Sequence, residues 1–166
     1  MLTMEKAQQI LQIAYDSSLS LNDVIIKEGK EFSYYNDGLG DVITIIPNIK
    51  PSKWTDFMNK YLKNELNLNP SEYMFYDLLE VFNLLHEVGH SKQNDKSKYN
   101  KEYINYELTV FDNYEEAYRT YRNLTLEKDA DKFASDFIKN HKFEIWSIMN
   151  DISIDEAIEE YNFWNI

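Results

Sequence analysis

The chain of 166 residues contains no cysteine, so neither disulfide bonds nor thiolate ligands can contribute to its fold or its chemistry. Proline and glycine are also scarce, at three and four residues. No stretch is rich enough in proline, glycine or serine to act as a linker. We therefore expect one domain over residues 1–166, long enough to bury a proper hydrophobic core.

Basic residues are few compared with acidic ones. Seventeen lysines and arginines oppose 29 aspartates and glutamates, which gives a net charge of -12. Direct binding to nucleic acid is not expected, because phosphate contacts need a basic surface. The negative charge would suit a basic partner or substrate, or simply keep the protein soluble. The oligomeric state is left open.

Long apolar runs are missing as well. No run approaches the length of a membrane span, so no membrane partner is expected. The first sixteen residues mix charged and polar residues with apolar ones, and they lack the continuous apolar core of a signal peptide. The sequence therefore predicts a cytoplasmic protein.

Two of the three histidines lie in the run His86-Glu87-Val88-Gly89-His90, inside a segment that is predicted to be helical. Residues four apart share one helix face, so both imidazoles can bind one metal ion. Glu87, one step round the helix, can accept a proton from the attacking water. This arrangement is typical of zinc peptidases. The alternative is an amphipathic helix with two ordinary, partly buried histidines.

Gly89 is unexpected inside a helix, where glycine costs about 1 kcal/mol relative to alanine. Close approach of a neighbouring backbone would explain it, and a tolerated accident is the alternative. Nothing else in the sequence separates the two explanations.

A catalytic zinc site needs a third protein ligand. One known pattern places a third histidine six residues after the second, but Lys96 occupies that position, and Gln93 replaces the glycine that this pattern also requires. The other solution is a carboxylate on a later helix. We predict one long helix over Glu115–Lys139, because this stretch contains neither proline nor glycine.

Helical periodicity separates the carboxylates of this stretch. Glu127 and Asp131 lie about 40° apart on the apolar side, whereas Asp129 lies on the opposite, solvent-facing side. An unpaired inward carboxylate is costly, and contact with a metal or with a metal-bound histidine would compensate. Both carboxylates are therefore candidate site residues. The alternative is that they lie at the edge of a core helix, paired with nearby lysine or arginine.

The combination of H-E-x-G-H with E-x-x-A-D-x-F-A on a later helix resembles the ImmA/IrrE family of zinc metallopeptidases. The matching residues are His86, Glu87, Gly89, His90, Glu127, Ala130, Asp131, Phe133 and Ala134. The resemblance implies that His86, His90 and Glu127 bind Zn²⁺. It also implies that Glu87 is the general base and that Asp131 orients a ligand histidine.

Members of this family are small bacterial or phage proteins, and several cleave a partner repressor of the helix-turn-helix type. The resemblance thus implies a zinc-dependent endopeptidase that hydrolyses a specific cytoplasmic protein, such as a repressor. Two departures leave the substrate open: the chain after Ala134 lacks the usual proline, and an extra helix is expected at about Lys53–Leu66. The competing hypothesis is a non-catalytic zinc-binding module that works by binding its partner.

The expected fold is α+β and mainly α, with helices around a small antiparallel sheet and a zincin-like active-site helix. Strand-like segments at Glu31–Tyr35 and Asp41–Ile46 flank a predicted hairpin turn over Asn36–Gly40. The strand Val42–Ile46 is the expected edge at which an extended peptide substrate pairs with the sheet.

These assignments predict about one zinc ion per chain in the purified protein. Replacing His86 or His90 by alanine should remove the metal, because the remaining ligands are too few to hold it. Elemental analysis after dialysis measures the loss, with His141→Ala as the control that keeps its metal. Full metal content in both variants would contradict the site.

Overall fold

The computed structural model describes residues 1–16, 25–28, 34–36, 42–45, 49–70, 74–93 and 97–160. These ranges contain eight helices and three short strands. In chain order they are α1 (Met4–Asp16), β1 (Ile25–Glu28), β2 (Tyr34–Asn36), β3 (Val42–Ile45), α2 (Lys53–Asn64), α3 (Phe75–Ser91), α4 (Ser97–Glu107), α5 (Tyr114–Arg122), α6 (Thr125–Asn140), α7 (Lys142–Asn150) and α8 (Ile154–Glu159). In the described ranges, none of the helices combines the length and the apolar character that a membrane span requires.

The expectation of helices around a small antiparallel sheet is wrong. The described chain is mainly helical, and its strands, of three or four residues, form a mixed sheet in the order β1-β3-β2. β3 pairs parallel with β1 and antiparallel with β2. The physical reason is where the apolar residues lie: nearly all of the described core comes from helices, and β3 adds only Ile43 and Ile45. Helix-on-helix packing therefore organises the fold.

The expected role of Val42–Ile46 as a sheet edge is also wrong. β3 lies between the other two strands, so both of its sides are already hydrogen bonded. The predicted turn between the strands lies outside the described residues, except for Asn36, which ends β2.

α3 is the central helix of the core. Thirteen of its 17 residues are buried, so it contacts other elements on nearly every side. α1, β2, β3 and α6 all pack against it. The extra helix expected at Lys53–Leu66 is confirmed as α2, which begins with a capping box at Ser52 and Thr55.

The long helix predicted over Glu115–Lys139 is instead two helices, α5 and α6. Between them Leu124 is buried and takes an extended backbone conformation (φ -60°, ψ 142°). The start of α6 is capped from outside: the Glu102 carboxylate of α4 accepts hydrogen bonds from the Thr125 backbone N–H and hydroxyl, both at 2.8 Å. Glu127 consequently lies in the first turn of α6.

α3 and α6 approach most closely at Gly89 and Ala130. A Cβ atom at position 89 would lie 2.9 Å from Ala130 Cα and 3.1 Å from its carbonyl oxygen. Only glycine allows the two backbones to come this near. The close approach therefore explains Gly89, and it places His86 and Glu127, each about one turn earlier on its helix, next to each other.

Gly89→Ala should destabilise the protein by roughly 1–3 kcal/mol, because the new methyl group meets backbone atoms that cannot rotate away. Helix propensity alone predicts the opposite, a gain of about 1 kcal/mol. Denaturant unfolding measures the difference. Lys60→Ala, at an exposed position of α2, is the control and should stay within about 0.5 kcal/mol of the parent. A more stable Gly89→Ala variant would show that the helices separate at little cost.

Candidate metal centre

His86, His90 and Glu127 converge between α3 and α6. Their potential ligand atoms all lie within 4.8 Å of one another. His86 Nε2 is 3.2 Å from Glu127 Oε2, and His90 Nε2 is 3.4 Å from Glu127 Oε1. The two Nε2 atoms are 2.9 Å apart. This cluster can hold a metal ion.

The outer nitrogens of both imidazoles face acceptors. His90 Nδ1 lies 2.9 Å from Gln93 Oε1, and His86 Nδ1 lies 3.0 Å from Asp131 Oδ1. The second contact departs from regular hydrogen-bond geometry, but its distance is that of a hydrogen bond, and His86 Nδ1 has no other partner among the described residues. We therefore assign the proton of each ring to Nδ1.

With this tautomer the two imidazole rings are suited to bind a metal ion. With Nδ1 protonated, both Nε2 atoms carry lone pairs directed at the same point. Two lone pairs only 2.9 Å apart repel each other unless a cation lies between them. The donor set, two imidazole nitrogens and a carboxylate, is one that zinc prefers. The residues present therefore fit a metal ion.

Buried charge favours the same conclusion. The side chains of Glu87, Glu127 and Asp131 are buried beside a single buried guanidinium, that of Arg122. When all three carboxyl groups are ionised, two negative charges remain unbalanced. Unpaired buried charge costs several kcal/mol, and a divalent cation would neutralise it.

The two glutamates at the site titrate differently. Burial alone would raise the pKa of Glu127, but His86 and His90, which in the absence of metal can carry a proton on Nε2 and donate it to this carboxylate, outweigh burial and hold that pKa far below its ordinary value. Glu127 is therefore a carboxylate at neutral pH, the form that binds metal. For Glu87, burial raises the pKa although both histidines oppose the rise. A raised pKa suits a general base, which works best when its pKa is near the operating pH.

Arg122 is a site residue that the sequence analysis missed. It lies at the end of α5, donates to Glu127 Oε2 at 3.2 Å and pairs with Asp131 Oδ1. Tyr61 of α2 donates to the other oxygen of Asp131 at 2.6 Å. The arginine pairing considered as the alternative to metal binding is thus present together with the histidine contacts.

The reason for missing Arg122 is the break between α5 and α6. On one continuous helix Arg122 would lie about 140° from Glu127, on the solvent-facing side. The extended residue Leu124 changes the direction of the chain, so that the guanidinium points inward instead. No periodicity in the sequence signals this reversal.

Gln93 was missed as well. Its Oε1 accepts from His90 Nδ1, and its Nε2 donates to the carbonyl of Leu126 at 2.8 Å. It therefore holds the His90 ring and ties the end of α3 to the first turn of α6, beside Glu127. In the sequence analysis Gln93 served only to exclude the pattern that needs a glycine three residues after the second histidine. Its position, one helical turn after His90, is the signal that could have identified it.

Tyr121, at the end of α5, is a tyrosine beside the ligand Glu127. It lies near enough to Glu127 for the carboxylate charge to act on its hydroxyl, whereas the Tyr118 hydroxyl accepts from Trp54 Nε1 at 2.9 Å. Burial, with the charge of Glu127 in second place, raises the pKa of Tyr121. Tyr121 therefore stays protonated and can act as a hydrogen-bond donor at the site.

A groove of about 530 Å³ lies on another part of α6. It is lined by Asp129, Lys132, Phe133, Asp136, Phe137, Asn140 and His141, none of which is a predicted ligand. Asp129 is exposed, as predicted, and accepts a hydrogen bond from Tyr99 at 2.8 Å. His141 pairs with Glu144 at 3.4 Å. It lies about 20 Å along the helix from Glu127, too far to act there.

Comparisons with known proteins provide no relative: no family model, no curated protein and no solved structure matches the chain. The site must be interpreted from its own contacts. Membership in the ImmA/IrrE family stays a prediction.

Asp131→Asn should weaken zinc binding by roughly ten- to a hundred-fold, because the amide no longer provides the charge that orients His86. Asp129→Asn is the matched control, two residues away on the exposed side, and should leave zinc affinity unchanged. Competitive zinc titration of both variants against a chelator measures the difference. Equal effects would contradict the contact between His86 and Asp131.

Proposed function

We propose that the protein is a zinc-dependent metallo-endopeptidase, with zinc held by His86, His90 and Glu127. The observation that supports this best is the convergence of those three residues with Glu87 adjacent on α3. Catalytic zinc sites use three protein ligands of this kind, whereas structural sites use four, usually with cysteine. The chain has no cysteine, and the cluster in the described residues supplies three ligand groups.

Zinc at this position would polarise the scissile carbonyl and acidify water. Glu87 would accept the proton of the attacking water and pass it to the leaving amine, so that the peptide bond is replaced by a carboxylate and a free amine. Asp131 and Gln93 would keep the ligand rings in place by accepting from His86 and His90.

Arg122 has a separate task in this proposal. Its guanidinium contacts both Glu127 and Asp131, so it holds their carboxylates ionised and oriented whether or not metal is bound. Arg122 also carries permanent charge, which removes part of the repulsion between the two carboxylates. The site is therefore arranged in advance of metal binding.

The proposed substrate is a specific protein, and the resemblance to the ImmA/IrrE family makes a repressor of the helix-turn-helix type the first candidate. A cytoplasmic location belongs to the same proposal. If the substrate binds as an added strand, among the described strands only the outer edges of β1 and β2 are left for it. Mass spectrometry of products, after incubation of the zinc-loaded protein with proteins encoded nearby, tests the proposal.

A non-catalytic zinc-binding module is the second candidate, and burial is the observation in its favour. Only 5% of His86 and 7% of Glu87 is exposed, and the groove on α6 is not at the ligands. Such a module would bind zinc and partner without hydrolysis. Loss of function on changing Glu87 alone separates the two candidates, because a structural site needs no general base.

Glu87→Gln should retain zinc and the fold but lose roughly a hundred- to ten-thousand-fold in peptide hydrolysis, because an amide cannot accept the proton. Single-turnover cleavage of an identified substrate, with metal content determined on the same sample, measures this. Near-normal turnover would rule out Glu87 as the base.

Glu80→Gln is the matched control on the same helix. Glu80 is also buried, but its carboxylate accepts from the backbone N–H groups of Leu2 and Ile49, at 2.6 and 3.2 Å, and does not face the metal site. This variant should unfold at a lower temperature while its folded fraction keeps the parent's turnover.

A further inference from the structure

Exposed apolar side chains are concentrated between the end of α4 and the start of α5. Val110 is 95% exposed and Leu108 is 77% exposed, and Tyr103, Ile104 and Tyr114 are exposed too. Ile104 and Leu108 lie one helical turn apart and therefore share a face. We name these five residues the 103–114 patch. Single exposed apolar residues are ordinary, but a cluster of this kind marks an interaction surface.

A row of tyrosines connects the patch to the metal site. Tyr114 stacks on Tyr118 with ring centres 5.8 Å apart, and Tyr118 stacks on Tyr121 at 6.3 Å. Their spacing along α5 places them on one helix face. Tyr121 directly precedes Arg122, which donates to the ligand Glu127 at 3.2 Å. The patch therefore continues along α5 to the ligands.

The surroundings of the patch are acidic. Residues 102–118 include no lysine, arginine or histidine, and their five acidic residues are all exposed. These are Glu102, Glu107, Asp112, Glu115 and Glu116. Glu115 pairs with Arg119 at 3.2 Å, whereas the hydrogen bonds of Glu102 and Glu116 leave their charges in place. An apolar surface with an acidic rim complements a segment that is apolar and basic.

We propose that the 103–114 patch is the surface on which the substrate protein docks, through a segment with large apolar side chains flanked by lysine or arginine. The inference rests on the proposed peptidase function and specifies the chemistry of its substrate. The tyrosine row provides the direction: a segment held on the patch extends along α5 toward Glu127 and Glu87.

A second copy of the chain is a poorer occupant. Its own patch would bring five more acidic residues against the first five, and like charges at a contact oppose association. A basic partner has the opposite effect, because it neutralises the rim while its apolar side chains cover Leu108 and Val110.

Two labelled peptides test the proposal. They share the same leucine and phenylalanine residues, and one is flanked by lysines, the other by glutamates. Fluorescence anisotropy measures their binding to the full chain, after chelation of metal so that no cleavage occurs. The lysine peptide should bind at least about tenfold more tightly, and its advantage should shrink as salt is added.

The double variant Leu108→Ser/Val110→Ser should weaken binding of the lysine peptide by about tenfold. The matched control is Ile154→Ser/Ile158→Ser on α8, where both side chains are likewise apolar and exposed, at 49% and 48%. It should bind like the parent. Equal binding of both peptides, or equal losses in both double variants, would overturn the proposal. So would a dimer in sedimentation equilibrium that the patch variant abolishes and the lysine peptide does not displace.

Cleavage of the lysine peptide after zinc is restored separates this proposal from the proposed function. Zinc-dependent cleavage that is insensitive to Leu108→Ser/Val110→Ser would refute the docking surface and leave the peptidase intact. Patch-dependent binding without any cleavage would support the surface and count against the peptidase.

Discussion

The contact between Gly89 and Ala130 is the constraint on which the rest of the structure depends. At this point the backbones of α3 and α6 lie so close that no side chain fits between them. Backbone contact is rigid, since neither partner can relax by changing rotamer. Residues one turn from the contact, His86 and Glu127, are consequently held at hydrogen-bond distance. A metal-binding cluster on two separate helices needs this kind of fixed spacing.

A second constraint is electrostatic. Carboxylates buried beside neutral imidazoles would ordinarily become protonated, because burial disfavours their charge. Here the histidines, when protonated in the absence of metal, hold the pKa of Glu127 down, and Arg122 contacts both Glu127 and Asp131. The cluster therefore combines negative charge with burial, two properties that ordinarily oppose each other. The negative charge attracts a cation, and burial keeps water from screening that attraction.

The sequence predicted the parts of the site that depend on local periodicity. The inward direction of Glu127 and Asp131 and the exposure of Asp129 follow from their spacing on α6, and the structure agrees. The break before α6 could not be predicted, because its cap, Glu102, lies 23 residues earlier in the chain. Arg122 was missed because this break turns its side chain toward the site. The strand order likewise depends on long-range pairing, which places β3 in the centre of the sheet.

The cap at Thr125 has a consequence for the order of the metal site. A helix that relies on another element for its cap loosens at its first turn when that element moves away. The first turn of α6 carries Glu127, so the order of this carboxylate is tied to the presence of α4. α4 also carries part of the exposed apolar surface. Binding of a partner to that surface and binding of metal at Glu127 are thus linked through one pair of hydrogen bonds. Such a linkage acts equally in both directions.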